Sequence, residues 1–193
     1  MTLDTNKDFE DQKFHNLKNA QADLRSKTFS QCTFVNCDFT ESNFTDSKFT
    51  ECEFNQSNLS LATLDGCKLQ DVRFSESKLV GVDFTRCNTF LFEINFHGCV
   101  LSGCNFSSLK LPGTSFKECT VKECDFVDAD LTGSNFFKSN LKGSLFHHTN
   151  LSEVNLVDAR DFSINPETNK LEKAKVSITE AVVLMEYLGL IIE

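Results

Sequence analysis

A period of five constrains this chain more than any other feature. In the stretch CTFVNCDFTESNFTDSKFTECEF, residues 32 to 54, phenylalanine recurs at 34, 39, 44, 49 and 54, with cysteine or serine two places before each. An amphipathic helix repeats its apolar face every 3.6 residues and a half-buried strand every 2, so neither accounts for the run. Stepping by five from Leu24 gives Phe29, Phe34, Phe39, Phe44, Phe49, Phe54, Leu59, Leu64, Leu69, Phe74, Leu79 and Phe84. The phase moves by two residues within CNTFLFEI, 87 to 94, and resumes at Phe96, Leu101, Phe106, Leu111, Phe116, Val121, Phe126, Leu131, Phe136, Leu141, Phe146, Leu151 and Leu156. With 40% apolar residues in the chain, so long an unbroken series has chance odds on the order of 10⁻¹⁰, which makes it architectural.

Two places before each large residue, the centre of its unit, stands a small one: Ala22, Cys32, Cys37, Ser42, Ser47, Cys52, Ser57, Ala62 and Cys67, and later Cys99, Cys104, Thr114, Cys119, Cys124, Ala129, Ser134, Ser139, Ser144 and Thr149. Lys27 is the clear exception. Residues two apart on an extended chain point to the same side, so the centre and its small partner face inward while the residue between them faces out. The other two residues of each five, mostly Ser, Thr, Asp, Glu, Gly or Asn, suit a turn. A short extended piece and a corner, repeated, make a solenoid whose successive turns pair as parallel strands, a β-helix with short flat sides.

This placement explains the nine cysteines. CxxxxC at 32 to 37, 99 to 104 and 119 to 124 invites a disulfide frame or a metal site. Every one of the nine, Cys87 included, nevertheless occupies the small slot of its unit. That slot calls for a buried, mildly apolar side chain, and neither disulfide nor metal chemistry would confine all nine to it.

The ends of a solenoid expose strand edges and need caps. Phe9 and Phe14 are in step with later centres but Asn19 is not, which predicts an irregular first coil over 1–21, a β-helix over 22–160 and a C-terminal segment over 161–193. Within that segment Ser177 reads as an N-cap with Glu180 three places on and Gly189 as a terminator, predicting a helix over about 178–188. It carries Ile178, Ala181, Met185 and Leu188 on one face and also Val182, Val183, Leu184 and Tyr187. A helix apolar on most sides is expected to cover the last coil and to meet a second subunit through Ile178, Ala181, Val182, Met185 and Leu188.

Nineteen basic against 28 acidic residues leave a net charge of −9. That charge repels free nucleic acid and membrane surfaces and favours a protein partner with a basic groove. No apolar stretch approaches the roughly 18 to 20 residues that span a bilayer, and MTLDTNKDFEDQKF lacks the features of a secretory signal. The expected location is therefore cytoplasmic. His15, His97, His147 and His148 are accompanied by no nucleophile elbow, phosphate loop or metal spacing, so neither an enzyme nor a cofactor is expected.

The units CDFTE, SNFTD, ADLTG and SNLKG resemble those of the pentapeptide repeat family. The resemblance implies an all-β, right-handed quadrilateral parallel β-helix of four units, 20 residues, per coil, followed here by a short C-terminal α-helix. Nearly seven coils at roughly 4.8 Å would be about 32 Å long. The tail NKLEKAKVSITEAVVLMEYLGLIIE further resembles the C-terminal segment of the Qnr and MfpA type and of immunity proteins against microcin and albicidin. That implies a homodimer joined through the C-terminal helices, an acidic rod that mimics duplex DNA, binds DNA gyrase or topoisomerase IV, and protects it from quinolones or a natural-product poison. Two such solenoids with caps would span roughly 70 Å, about 20 base pairs.

With 20 residues per coil the outward residues sort onto four faces. Face 1, bearing centres 24, 44, 64, 84, 106, 126 and 146, carries Asp23, Asp46, Asp65, Asp83, Asp125 and Asp128 against Arg25 and Arg86, a net −4, whereas faces 2, 3 and 4, which follow in chain order, come to between 0 and −1. Many Qnr proteins interrupt the repeat with longer loops; this chain has only the shift near Thr89 to Glu93, where Phe90 or Phe92 would form a small bulge and contact point. The alternative to topoisomerase protection is an interaction scaffold with an unrelated partner.

Overall fold

Nearly every five-residue unit folds as an extended piece around its centre followed by a residue in the left-handed conformation. Asp11, Asn16, Gln21, Ser26, Gln31, Asn36, Glu41 and Asp46 all have φ between 47° and 59°. A positive φ at the third position of a β-turn redirects the chain, and Asn, Asp and Gly hold it at least cost. Gly66 answers a second need, because a Cβ there would collide with Asp46 Oδ1 in the neighbouring coil. Repetition of this corner winds the chain into a parallel β-solenoid of about eight turns with one short helix. The computed structural model describes Leu3 and residues 7 to 187.

The coils pair in a register of twenty. On face 3, Phe14 lies opposite Phe34, Phe34 opposite Phe54 and Phe54 opposite Phe74. Phe74 then meets Phe96 and Phe96 meets Phe116, so the two-residue shift is absorbed without loss of the stack. Ring centroids from Phe14 to Phe116 are 5.1, 4.7, 5.1, 5.1 and 5.3 Å apart, offset-stacked, and adjacent columns meet edge to face, as Phe34 and Phe39 do at 5.5 Å. Where three successive centres are leucine, Leu59, Leu64 and Leu69, the shorter side chains leave an apolar void of about 10 Å³. Strand pairing in this register begins with Asp8–Glu10 against Thr28–Ser30 and ends with Asn155–Leu156 against Lys175–Val176, so it passes both ends of the 22–160 span.

The small slot does more than save space. Ser57 Oγ donates to Phe34 O at 3.3 Å in the coil below and accepts the Cys37 N–H at 3.0 Å. Ser139 does the same with Phe116 O at 2.5 Å and Cys119 N–H at 3.0 Å. Cys32, Cys37 and Cys52 send their thiols to Phe9, Phe14 and Phe29 carbonyls, and Cys119 Sγ accepts the Cys99 N–H at 3.3 Å. These columns satisfy buried backbone groups at the corners, where they would otherwise be costly. All nine cysteines are free and buried.

The repeat is interrupted after Phe84. Phe84–Arg86 forms a short 3₁₀ turn capped by Asp83, whose side chain accepts the Thr85 N–H. The ladder is held at Asn88, whose N–H bonds Cys67 O, and again at Glu93, whose N–H bonds Leu69 O. Residues 89 to 92 loop out between them.

The C-terminal helix, Ile178–Glu186, has Ser177 at its N-cap, but the Ser177 hydroxyl makes no cap bond. It accepts the Asp158 N–H at 2.8 Å and so ties the helix start to the last regular coil. The expected terminator Gly189 lies outside the described residues.

Candidate protein-interaction surface

Face 1 is built from rungs one coil apart, with Asp23 bridged to Asn43, Asp83 to Asn105 and Asn105 to Asp125. Asp23, Asp83 and Asp125 precede their centres, and each turns one carboxylate oxygen back on the corner. Asp83 Oδ1 accepts Thr85 N–H at 3.0 Å and Thr85 Oγ1 at 2.6 Å, and Asp125 Oδ1 accepts Val127 N–H at 2.9 Å. Asn43 and Asn135 brace their corners in the same way. Asp and Asn recur before the centre because a short acceptor there closes the turn. Asp46, Asp65 and Asp128 follow their centres.

Three of the six carboxylates meet a basic partner on the same face. Asp23 pairs with Arg25 at 2.6 Å, Asp65 with Arg86 at 3.0 Å across coils, and Asp128 lies 3.6 Å from His148. Hydrogen bonds from the Arg25 guanidinium hold the Asp23 carboxyl down at about 2. Asp46, Asp83 and Asp125 have no ion pair among the described residues. The six residues share a face but do not converge on a point, so the surface presents an extended array of carboxylates. Among the described residues no three His, Cys, Asp or Glu side chains are grouped to hold a metal ion.

At the bulge, Phe90 is 75% exposed. Phe92 is only partly exposed, since it packs against the core and separates two grooves. One of about 470 Å³ is lined by Leu91, Phe92, Leu109 and Pro112, and one of about 210 Å³ by Phe92, Glu93, Lys110 and Thr114. Leu91, 57% exposed, joins the surface although its spacing gave no reason to single it out.

On the helix, Ile178, Met185 and Tyr187 are exposed, at 89, 43 and 40%. Ala181 and Val182 are half-buried. Leu184 packs against the core, and the Tyr187 hydroxyl lies 2.5 Å from Ser163 Oγ. Leu188 lies outside the described residues. The helix thus packs on the rod's end through Leu184, and among the described residues nothing covers Ile178 and Met185.

Known proteins supply the context for this geometry. Two trypsin-treated variants of QnrB1, described as a plasmid-mediated fluoroquinolone resistance protein, superpose with TM-scores of 0.60 and 0.59 at 19% identity, covering 96% of this chain and 90 and 91% of theirs. HetL, a pentapeptide repeat protein involved in heterocyst differentiation regulation in the cyanobacterium Nostoc, is similar over 87% of this chain and 84% of its own, at 20% identity and a TM-score of 0.46. No curated protein sequence matches the chain. The model of the pentapeptide repeat region matches residues 27–91 and 88–156. More than half of the chain fits that pattern, and the chain belongs to the pentapeptide repeat family.

Proposed function

We propose that this protein is a non-enzymatic DNA mimic that occupies the DNA-binding surface of a type II topoisomerase, DNA gyrase or topoisomerase IV, and protects it from quinolones or a peptide or natural-product poison. The observation that carries the reading is face 1, an extended array on which Asp46, Asp83 and Asp125 have no ion pair among the described residues. A topoisomerase offers DNA a basic saddle, and fixed carboxylates on a rod of about eight turns, roughly 38 Å, complement such a saddle. A fold shared with a fluoroquinolone resistance protein supports the same choice. The exposed side of the helix suits a homodimer end to end, which would double the rod, and the protein would act in the cytoplasm, where its target lies.

The test is a gyrase supercoiling and DNA-cleavage assay with a quinolone, run with and without the protein. Inhibition of supercoiling or fewer quinolone-stabilised breaks at micromolar protein supports the proposal; no binding, inhibition or protection contradicts it. A scaffold for an unrelated partner is the second reading. It is favoured by the short bulge at 89 to 92 and by the arginines that neutralise Asp23 and Asp65.

A further inference from the structure

Left-handed corners are filled almost throughout by Gly, Asn, Asp, Gln, Glu, Ser, Lys or His; among the described residues the two apolar exceptions are Leu61, at φ 57°, and Leu91, at φ 56°. A bulky apolar side chain there carries a backbone cost that Asn or Gly would avoid. Leu91 belongs to the bulge. Leu61 stands in a regular corner, between faces 4 and 1, and is still 53% exposed.

Beside Leu61 runs a groove of about 300 Å³ that opens onto face 1 and is lined by Leu61, Leu64, Asp65, Gly81, Asp83 and Arg86. Gly81 follows Leu61 in the same corner column, and a Cβ on it would come within 2.8 Å of Leu61 Cδ2. The bare backbone at Gly81 therefore gives the leucine its space. Asp83 commits Oδ1 to Thr85. Asp65 is held by Arg86, with both side chains substantially exposed, at 46 and 62%, so that a second cation can share the carboxylate.

We infer that this groove seats one arginine or lysine side chain from a basic protein partner, its aliphatic stem along Leu61 and its cationic head at Asp83 and Asp65. An apolar wall ending in carboxylates is complementary to such a side chain, whose stem is apolar and whose tip is charged. The net charge of −9 selects basic partners over acidic ones. The inference rests on face 1 as the partner-facing side, but it concerns any partner that offers a basic side chain there.

The test measures binding of an octa-arginine peptide to the full chain by fluorescence anisotropy at low salt, with no topoisomerase present, so that it can fail separately from the proposed function. Leu61→Asn keeps a residue suited to the left-handed corner, and its thermal stability should be unchanged or higher. Its affinity should fall threefold or more. Asp83→Asn should weaken binding more than Asp125→Asn does, and Arg86→Ala should tighten it by removing the internal competitor. A loss below threefold for Leu61→Asn, or equal losses for the two aspartate variants, overturns the inference and leaves diffuse charge as the explanation of any binding.

Discussion

The Phe34 to Phe74 coils and the C-terminal helix are both rich in apolar side chains, yet they stand in opposite conditions. In the coils every centre is at most 6% exposed, and each aromatic ring has a partner above, below or beside it. In the helix Ile178 is 89% and Met185 43% exposed, and among the described side chains Leu184 is the one that reaches the core. The coils are complete within one chain, while the helix has a side left over. Apolar residues in a fixed inward slot specify a fold, and apolar residues outside such a slot specify an encounter.

Substitutions should expose this contrast. Phe54→Ala removes the middle ring between Phe34 and Phe74 and should cost about 3 to 5 kcal/mol in denaturant unfolding. The pair Ile178→Glu and Met185→Glu should instead leave the rod's circular dichroism intact and convert a dimer to monomers by light scattering; a dimer that survives refutes the helix interface. Ser57→Ala leaves Cys37 N–H and Phe34 O without their partner and should cost about 1 to 3 kcal/mol. Ser57→Cys keeps a donor and acceptor and should cost less, so equal losses would mean that size alone governs the slot.

Smaller effects follow from ionisation. Burial pushes the Cys52 thiol up to about 12 and Cys67 well above its ordinary value. A thiol whose folded value is raised contributes stability that is whole below the unfolded value of about 8.5 and is lost as pH rises through the folded one. Stability should therefore decline above about pH 8.5, with little labelling of Cys52 and Cys67 in the native protein by a thiol reagent at pH 8. Asp23 should titrate near 2 by carboxyl carbon NMR and return toward about 3.9 in Arg25→Ala. Its contribution is present above the unfolded value and fades as pH falls toward 2.

The rod was legible because an inward slot admits so few residue types that spacing alone reveals it: Phe34, Phe54 and Phe74 stack as a register of twenty requires. In the sequence the small slot shows only as volume; that Ser57 and Cys119 also bond the backbone depends on side-chain direction, which composition does not carry. Regular coiling from Asp8 was hidden by Asn19, which breaks the apolar series while its backbone still joins the ladder through Asn19 N–H to Asp38 O at 2.8 Å. On face 1 the sequence shows which carboxylates share a side. It does not show that Arg86 reaches across a coil to Asp65, since that depends on where an exposed side chain settles. Nothing in the sequence singles out Leu61 and Leu91, because five-residue spacing marks their slot as a corner without stating the φ that makes leucine unusual there.

A rod that takes the place of duplex DNA must compete with it for the enzyme. Labelled protein should bind gyrase and be displaced by a duplex long enough to fill the saddle, with an apparent affinity that falls in proportion to the DNA added. Simultaneous binding of protein and duplex to one enzyme, or no binding of the protein at all, would contradict it.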